Sequence, residues 1–274
     1  MPHLLLIGAG YLGARIAEVF RASGWTITPV SLSGGEGTVA ANVADRESVR
    51  ALAGKCPRPD YIVHCAASGR GGADAYRSVY VGGCRNLVEQ FHGVPLLFTS
   101  STSVYAQTDG SIVTEESPAQ PDRETGRLLL EAESIALGSG GTVARLAGIY
   151  GPGRSVILKK FLTGAAVIEE DGRRFLNQIH RDDAARAIFH LASSKSHLGG
   201  IFNVSDSEPM AQIECYQRLS EIFGRPLPPS GPRDPDRKRG WTHKRVSAAK
   251  LRGIGWVPEY PSFMEAVRRI AATL

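Results

Sequence analysis

Leu4-Leu5-Leu6-Ile7-Gly8-Ala9-Gly10-Tyr11-Leu12-Gly13 decides how the rest of this 274-residue chain is read. The apolar run has the length and composition of a buried strand. It breaks at glycine and re-emerges with helical spacing in Leu12, Ile16, Val19 and Phe20, while Arg15, Glu18 and Arg21 occupy the other side. Gly8-x-Gly10-x-x-Gly13 therefore stands between a strand and a helix, the setting in which the pattern signals a dinucleotide site. Gly8 permits the tight turn, Gly10 lets the backbone approach a pyrophosphate, and Gly13 lets helix and strand pack closely. The helix N-terminus adds unpaired N–H groups and a partial positive charge. A glycine turn without a ligand is the bland alternative; the strand–helix setting argues against it.

Working outward, Gly24 stops the first helix and Thr26–Val30 reads as a second strand. The residue after that strand selects between nicotinamide cofactors: an acid binds the ribose 2′-hydroxyl, a base accepts a 2′-phosphate. Here stand Ser31-Leu32-Ser33 and the loop Gly34-Gly35-Glu36-Gly37. Ser31 points to NADP(H) rather than NAD(H), although Glu36 offers a carboxylate for a 2′-hydroxyl, so both cofactors stay open. Asn42-Val43 leads to Asp45, a cap for a helix to about Ala53. Asp60–Ala67 reads as a strand ending in the small residues Ala66 and Ala67, Ala73–Phe91 as a helix, and Pro95–Thr99 as a buried strand opening into Ser100-Ser101. Strands and helices alternating at this spacing predict an α/β fold with a doubly wound parallel Rossmann sheet. Ligands of such sheets lie at the carboxyl ends of strands, where Gly8–Gly13, Ala66-Ala67 and Ser100-Ser101 all fall.

Six motifs then carry a resemblance. His64-Cys65-Ala66-Ala67 is similar to H-x-A-A, Val81–Leu87 to V-x-G-T-x-N-L, and Ser100–Tyr105 to S-S-x-x-V-Y. Arg145–Gly153 resembles R-P-x-x-I-Y-G-P-G, His180–Ala185 resembles H-x-x-D-x-A, and Phe202-Asn203-Val204 the late F/Y-N-V strand. In this order they resemble the extended short-chain dehydrogenase/reductases, the NAD-dependent epimerase/dehydratase family, nearly end to end. The resemblance implies NADP or NAD held by Gly8, Gly10, Tyr11, Leu12, Gly13, Ser31, Asn42, Val43, Cys65, Ala66, Ala67 and Ser100. It implies Ser101 as the catalytic hydrogen-bonding serine, and Ser101, Arg154 and Asn177 as substrate-binding residues. The bland alternative for Ser101 is a loop serine at a strand end.

Two departures place the chain in an atypical branch. The glycine pattern is G-x-G-x-x-G rather than G-x-x-G-x-x-G. The family's Y-x-x-x-K pair aligns with Thr125 and Leu129 of Thr125-Gly126-Arg127-Leu128-Leu129. In such enzymes the tyrosine exchanges a proton with the substrate oxygen, and the lysine one turn away favours its phenolate. Threonine and leucine supply neither function. The dehydratases' acidic pair falls at Thr102 and Ser103, which argues against dehydration by their mechanism. Replacement acids to consider are Tyr105, Tyr150, His64 and His180, each with a packing role as its alternative.

The remaining features narrow the class. Lys and Arg total 32 against 27 Asp and Glu, a formal charge of +5, and the basic residues of 233–245 are not interleaved into a stripe that suits nucleic acid. Cys56, Cys65, Cys84 and Cys215 form neither a CxxC pair nor a zinc cluster, so no metal is expected. Reduced thiols, no signal peptide and no membrane-spanning run lead to the expectation of a cytoplasmic protein. Residues 1–150 are expected to form the dinucleotide-binding core. Residues 151–274 are expected to complete it over about 174–204 and to build a smaller C-terminal substrate lobe. Arg154 and the clusters Arg237-Lys238-Arg239 and Lys244-Arg245 are cations for a phosphate or carboxylate, with a solvated surface as the alternative. The expected partner is a small molecule, sugar-like or nucleotide-linked, with a homodimer as the assembly to test for. The activity to expect is that of an oxidoreductase or epimerase with a non-standard proton donor. A dinucleotide-binding sensor that has lost the chemistry is the alternative.

Overall fold

All five residues of β1, His3–Ile7, are buried, as a strand covered by helices on both faces requires. In the computed structural model this strand lies in a seven-stranded sheet. The model describes all residues except 70, 194–198, 207 and 234–239; the run Arg237-Lys238-Arg239 thus lies outside the described residues. The other strands are β2 (Thr26–Ser31), β3 (Val39–Ala40), β4 (Tyr61–His64), β5 (Leu96–Ser101), β6 (Thr142–Leu146) and β7 (Ile201–Val204). Their order is β7-β6-β5-β4-β1-β2-β3, so the chain reverses direction across the sheet between β1 and β4. That reversal is the switch point at which open α/β sheets bind ligands. Strand β1 runs parallel to β2 and to β4, and β4 to β5.

The chain divides into two units. The first comprises Met1–Val104, Pro121–Arg145 and Ala185–Phe202, and the second Tyr105–Gln120, Leu146–Ala184 and Asn203–Leu274. In the first unit, α1 (Tyr11–Ala22) buries Leu12, Gly13, Ile16, Ala17 and Phe20, the face its periodicity predicted. Phe20 closes that face with edge-on contacts to Trp25 and Phe189, at 5.2 and 5.0 Å between ring centroids. Asp45 caps α2 (Arg46–Ala53) by accepting the Glu47 N–H at 3.1 Å.

The helix expected over Ala73–Phe91 is interrupted. It consists of α3 (Ala73–Tyr76), a π-helical turn over Arg77–Gly82, and α4 (Gly83–Gln90). Sequence periodicity does not register the turn, because its stabilisation comes from outside the helix: His64 Nε2 donates to the Val79 carbonyl at 3.0 Å. A Cβ on Gly83 would stand 2.9 Å from that nitrogen, so only glycine lets the helix come this close.

One buried polar network fastens the end of β5. On α5 (Glu124–Gly138), Glu133 receives Ser100 Oγ at 2.5 Å and the Arg145 guanidinium through Nε at 3.0 Å and an Nη at 2.6 Å. Both charged side chains are buried, at 4% and 3% exposure. A buried pair contributes little net stability, but removing one partner strands the other charge.

The second unit is built around Tyr150, Leu158, Phe161, Tyr216, Leu219, Phe263 and Val267. Two-stranded pairings surround this core: Gly148–Tyr150 with Gln178–His180, Ile168–Glu169 with Ser230–Gly231, Phe175–Leu176 with Met210–Ala211, and Ile112–Val113 with Arg245–Val246. Its helices include α6 (Val156–Leu162), α8 (Gln212–Phe223) and α10 (Phe263–Ala271), with α7 (Arg181–Ser193) beginning in it and α9 (Ala249–Gly253) near its end. Among the described residues no helix is long and apolar enough to cross a membrane.

Replacing Glu133 by alanine should destabilise the protein by about 3–5 kcal/mol, read as the shift of a urea midpoint at constant slope. A loss below about 1 kcal/mol would show that the network is not the fastening described.

Candidate functional site

The glycines of the first motif do three different jobs. Gly8 has φ +106°, and a Cβ there would lie 2.4 Å from the Ala66 nitrogen. A Cβ on Gly13 would lie 1.9 Å from the Gly8 carbonyl oxygen. These two positions exclude any side chain because backbone is packed against them. Gly10 differs: a Cβ there meets nothing within 4 Å, and its φ of −84° suits any residue. The chain therefore keeps Gly10 bare on the open side, at the N-cap of a helix that no side chain caps and whose first turn has no acid. A diphosphate fits this cradle, because it needs close backbone approach, N–H donors and no competing carboxylate.

Hydrogen bonds fix several of the other expected cofactor contacts. Gly8 and Ala9 both donate to the Val30 carbonyl, and Cys65 N–H donates to Ile7, so β1, β2 and β4 end together. Cys65 Sγ donates to the Gly8 carbonyl at 3.2 Å, and burial pushes its thiol up to about 12, which makes it packing rather than a nucleophile. Ser31 Oγ donates to the Gly34 carbonyl at 3.3 Å and closes the loop that follows β2. Asn42 Oδ1 accepts Ala44 N–H, and buried Val43 offers its carbonyl to Asn86 Nδ2 at 2.9 Å. Ser100 commits its hydroxyl to Glu133. Ser101 does the opposite: its oxygen accepts Ser103 N–H at 3.2 Å, which leaves its hydrogen for donation.

The four replacement acids lie in interiors. His64 is fully buried, and burial pushes its imidazole down to about 4, so it is neutral near pH 7 with its proton on Nε2 toward Val79. In the second unit Tyr105 is fully buried with its hydroxyl on Asn203 Oδ1 at 2.9 Å. Tyr150 is buried, and burial, then the Asp206 and Asp183 charges, hold its phenol far above the ordinary tyrosine range. His180 is buried beneath Tyr260, at 4.0 Å between ring centroids. The neighbouring Asp183 receives the Glu259 and Tyr260 N–H groups at 2.8 and 2.9 Å, a role that holds a loop.

Of the expected substrate residues, Arg154 is exposed on the turn closed by the Gly151–Arg154 bridge. Asn177 gives both ends of its amide to backbone: Nδ2 to the Lys244 carbonyl at 2.9 Å, and Oδ1 to Val246 N–H at 2.7 Å. The Lys244-Arg245 cluster is neither a solvated face nor an open anion site. Buried Lys244 donates to the Tyr105 carbonyl at 2.6 Å, and burial pulls its ammonium down to about 8. Arg245 Nε donates to the Gly110 carbonyl.

A cleft of about 470 Å³ opens in the second unit, lined among others by Ile157, Lys160, Glu169, Arg174, Tyr216 and Arg233. Arg174 Nε stands 3.2 Å from Glu169 Oε2, and Arg233 Nε 2.7 Å from Glu170 Oε1. Lys160, Glu169 and Arg174 belong to none of the motifs in the sequence. The available signal was the density of charge in Glu169–Arg174, a stretch too short for periodicity to interpret.

Comparison with known proteins shows the family and the fold. Residues 4–205 match the NAD dependent epimerase/dehydratase family, and the chain belongs to that family. It is 29% identical over 245 residues to Protein YeeZ of Escherichia coli K12, covering 82% of this chain and 85% of YeeZ. Its fold is similar to human epimerase family protein SDR39U1 (isoform 2) with NADPH, at 19% identity and TM-score 0.80 over 100% of both chains. It is also similar to a dTDP-glucose 4,6-dehydratase of Bacillus anthracis in complex with NAD, at 19% identity and TM-score 0.82 over 99% of this chain and 96% of that one.

The three glycines should separate on mutation. Gly10→Val should fold with no more than the roughly 1 kcal/mol cost of a poorer N-cap and lose NADPH and NADH binding in calorimetry, whereas Gly13→Ala should fail to fold stably. Native cofactor affinity in folded Gly10→Val would overturn the cradle.

Proposed function

We propose that this chain is an NAD(P)-dependent oxidoreductase or epimerase acting on a sugar-like or nucleotide-linked substrate. The observation that carries the reading is the bare Gly10 at the switch point, flanked by Gly8 and Gly13 that tolerate no side chain. When bound, the nicotinamide group supplies or accepts hydride; the rest of the chemistry falls to the protein. In this reading Gly8, Gly10, Tyr11, Leu12 and Gly13 hold the pyrophosphate, and Asn42, Val43, Cys65, Ala66 and Ala67 line the nucleoside halves. Ser31, which replaces the acid that would repel a 2′-phosphate, tilts the choice to NADP(H). Ser101 donates its hydrogen to the reacting oxygen. Residues 1–150 serve the dinucleotide and 151–274 the substrate, where Arg154, the segment fixed by Asn177, and the cleft around Lys160 and Arg174 recognise anionic or polar groups. That cleft is within the roughly 300–1,000 Å³ usual for small-molecule sites.

The proton does not come from α5 in this reading. Thr125 and Leu129 stand one turn apart on it, and Leu129 is buried. A second reading, a dinucleotide sensor, draws on the same two residues and on the burial of Tyr105, Tyr150, His64 and His180.

Turnover on a panel of nucleoside-diphosphate sugars and simple ketones separates the two. The enzyme reading expects Ser101→Ala to lose at least tenfold in kcat, and Thr125→Val to stay within threefold. A loss near the roughly 10²–10⁴-fold worth of a positioned acid or base on Thr125→Val would return proton transfer to α5. Tight cofactor binding without hydride transfer to any member of the panel would favour the sensor.

A further inference from the structure

The π turn at Arg77–Gly82 gives up the regular helical ladder, and such turns inside helices frequently mark functional sites. Here it is held by a buried histidine, and it carries Tyr80. The Tyr80 ring packs edge-on to Phe98 within β5 at 5.9 Å and 6.5 Å from His64 at the end of β4, with Tyr76 at 4.9 Å on its helix side. Its hydroxyl reaches the loop that leaves β4: Ser68 N–H donates to Tyr80 Oη at 3.2 Å, and Ser68 Oγ lies 3.4 Å from the same oxygen. Ser68 is two residues beyond Ala66, whose nitrogen abuts Gly8. The Ser68–Tyr80 pair thus stands beside the cradle, on the β4–β5 side of the switch point.

Position along the sheet decides which half of a dinucleotide this pair would meet. A bound dinucleotide would have its adenine ribose read from the end of β2, here Ser31, and its other nucleoside would extend toward the ends of β4 and β5. Ser101 closes β5 on that side. Every other tyrosine of the first unit fails one condition. Tyr61 and Tyr76 are buried at 4% and 7% exposure, and Tyr11 opens α1 inside the pyrophosphate cradle itself. Tyr80 is half-buried, with the ring fixed by packing and the hydroxyl on the loop that leaves β4.

Building on the dinucleotide reading above, we propose that Tyr80 is the phenol that exchanges a proton with the reacting oxygen, with Ser68 as its relay. In the reducing direction the carbonyl carbon receives hydride from the reduced nicotinamide and forms the new C–H bond. The carbonyl π pair moves to oxygen, and that oxygen takes the Tyr80 proton. Water returns a proton to the phenolate through the Ser68 hydroxyl, and Ser101 hydrogen-bonds the same oxygen. The nicotinamide is oxidised, the carbonyl is reduced, and one proton is drawn from solvent.

The test is a proximity measurement on the whole chain. Deuterated protein carrying protonated tyrosine is saturated with NADPH, and Tyr80→Phe assigns the resonances. The proposal expects nuclear Overhauser contacts between the Tyr80 ring and the nicotinamide H4, which require about 5 Å or less. NADPH bound with nicotinamide contacts to other residues and none to Tyr80 would overturn the proposal and leave the dinucleotide reading intact. No binding of NADPH or NADH would overturn both. Tyr80→Phe keeps the ring packing and should bind NADPH within threefold of native. With any panel substrate that turns over, it should lose roughly 10²–10⁴ in kcat. An unchanged kcat would remove the proton role.

Discussion

Backbone approach between the Gly8–Gly13 turn and the Ala66 strand end is the contact on which the rest depends. With carbon placed at Gly8 or Gly13, atoms would stand 2.4 and 1.9 Å apart, distances that no rotamer or small shift relieves. Because both positions are glycine, β1 and β4 end side by side and α1 begins against them. The same turn holds one glycine outside that packing. Gly10 projects into open space, and its lack of a side chain has no packing reason. A residue that nothing packs against, beside two that are bare by necessity, is the observation on which the proposed dinucleotide site rests.

The elements around this turn serve to hold strand ends rather than to react. Glu133 neutralises Arg145 and takes the Ser100 hydroxyl, so that of two adjacent serines one is fixed and only Ser101 keeps a hydrogen to give. His64 fulfils the same function on β4. Its imidazole, neutral through burial, is spent on a carbonyl that the π turn leaves available. In the second unit Asp183, Asn177 and Lys244 are likewise committed to backbone partners. Polar groups in motifs are easily taken for chemistry, yet several of these are the interior joinery of loops.

Much of the first unit is legible in the residues. Buried runs at Leu4–Ile7, Tyr61–Val63 and Leu96–Phe98, separated by amphipathic spacing and capped by Asp45, dictate strands, helices and their alternation. The π turn is not legible, since helix periodicity over Ala73–Phe91 reads the same with or without it, and the histidine that sustains it is nine residues upstream of Ala73. Nor was the distinction between Ser100 and Ser101: it depends on Glu133, 33 residues from Ser100 along the chain. The second unit was harder still. Its two-residue strands pair across long sequence separations, such as Ile168–Glu169 with Ser230–Gly231, and they are too short to leave a periodic trace.

The central claim is that a dinucleotide lies across this switch point with its pyrophosphate on the first turn of α1. Amide resonances of the protein titrated with NADPH test it most directly. The account predicts the largest shifts at Gly10, Leu12, Gly13 and the Ala66–Ser68 loop, reaching saturation together with one dissociation constant. Saturation with those amides unmoved, or with the largest shifts confined to the cleft around Arg174, would contradict it.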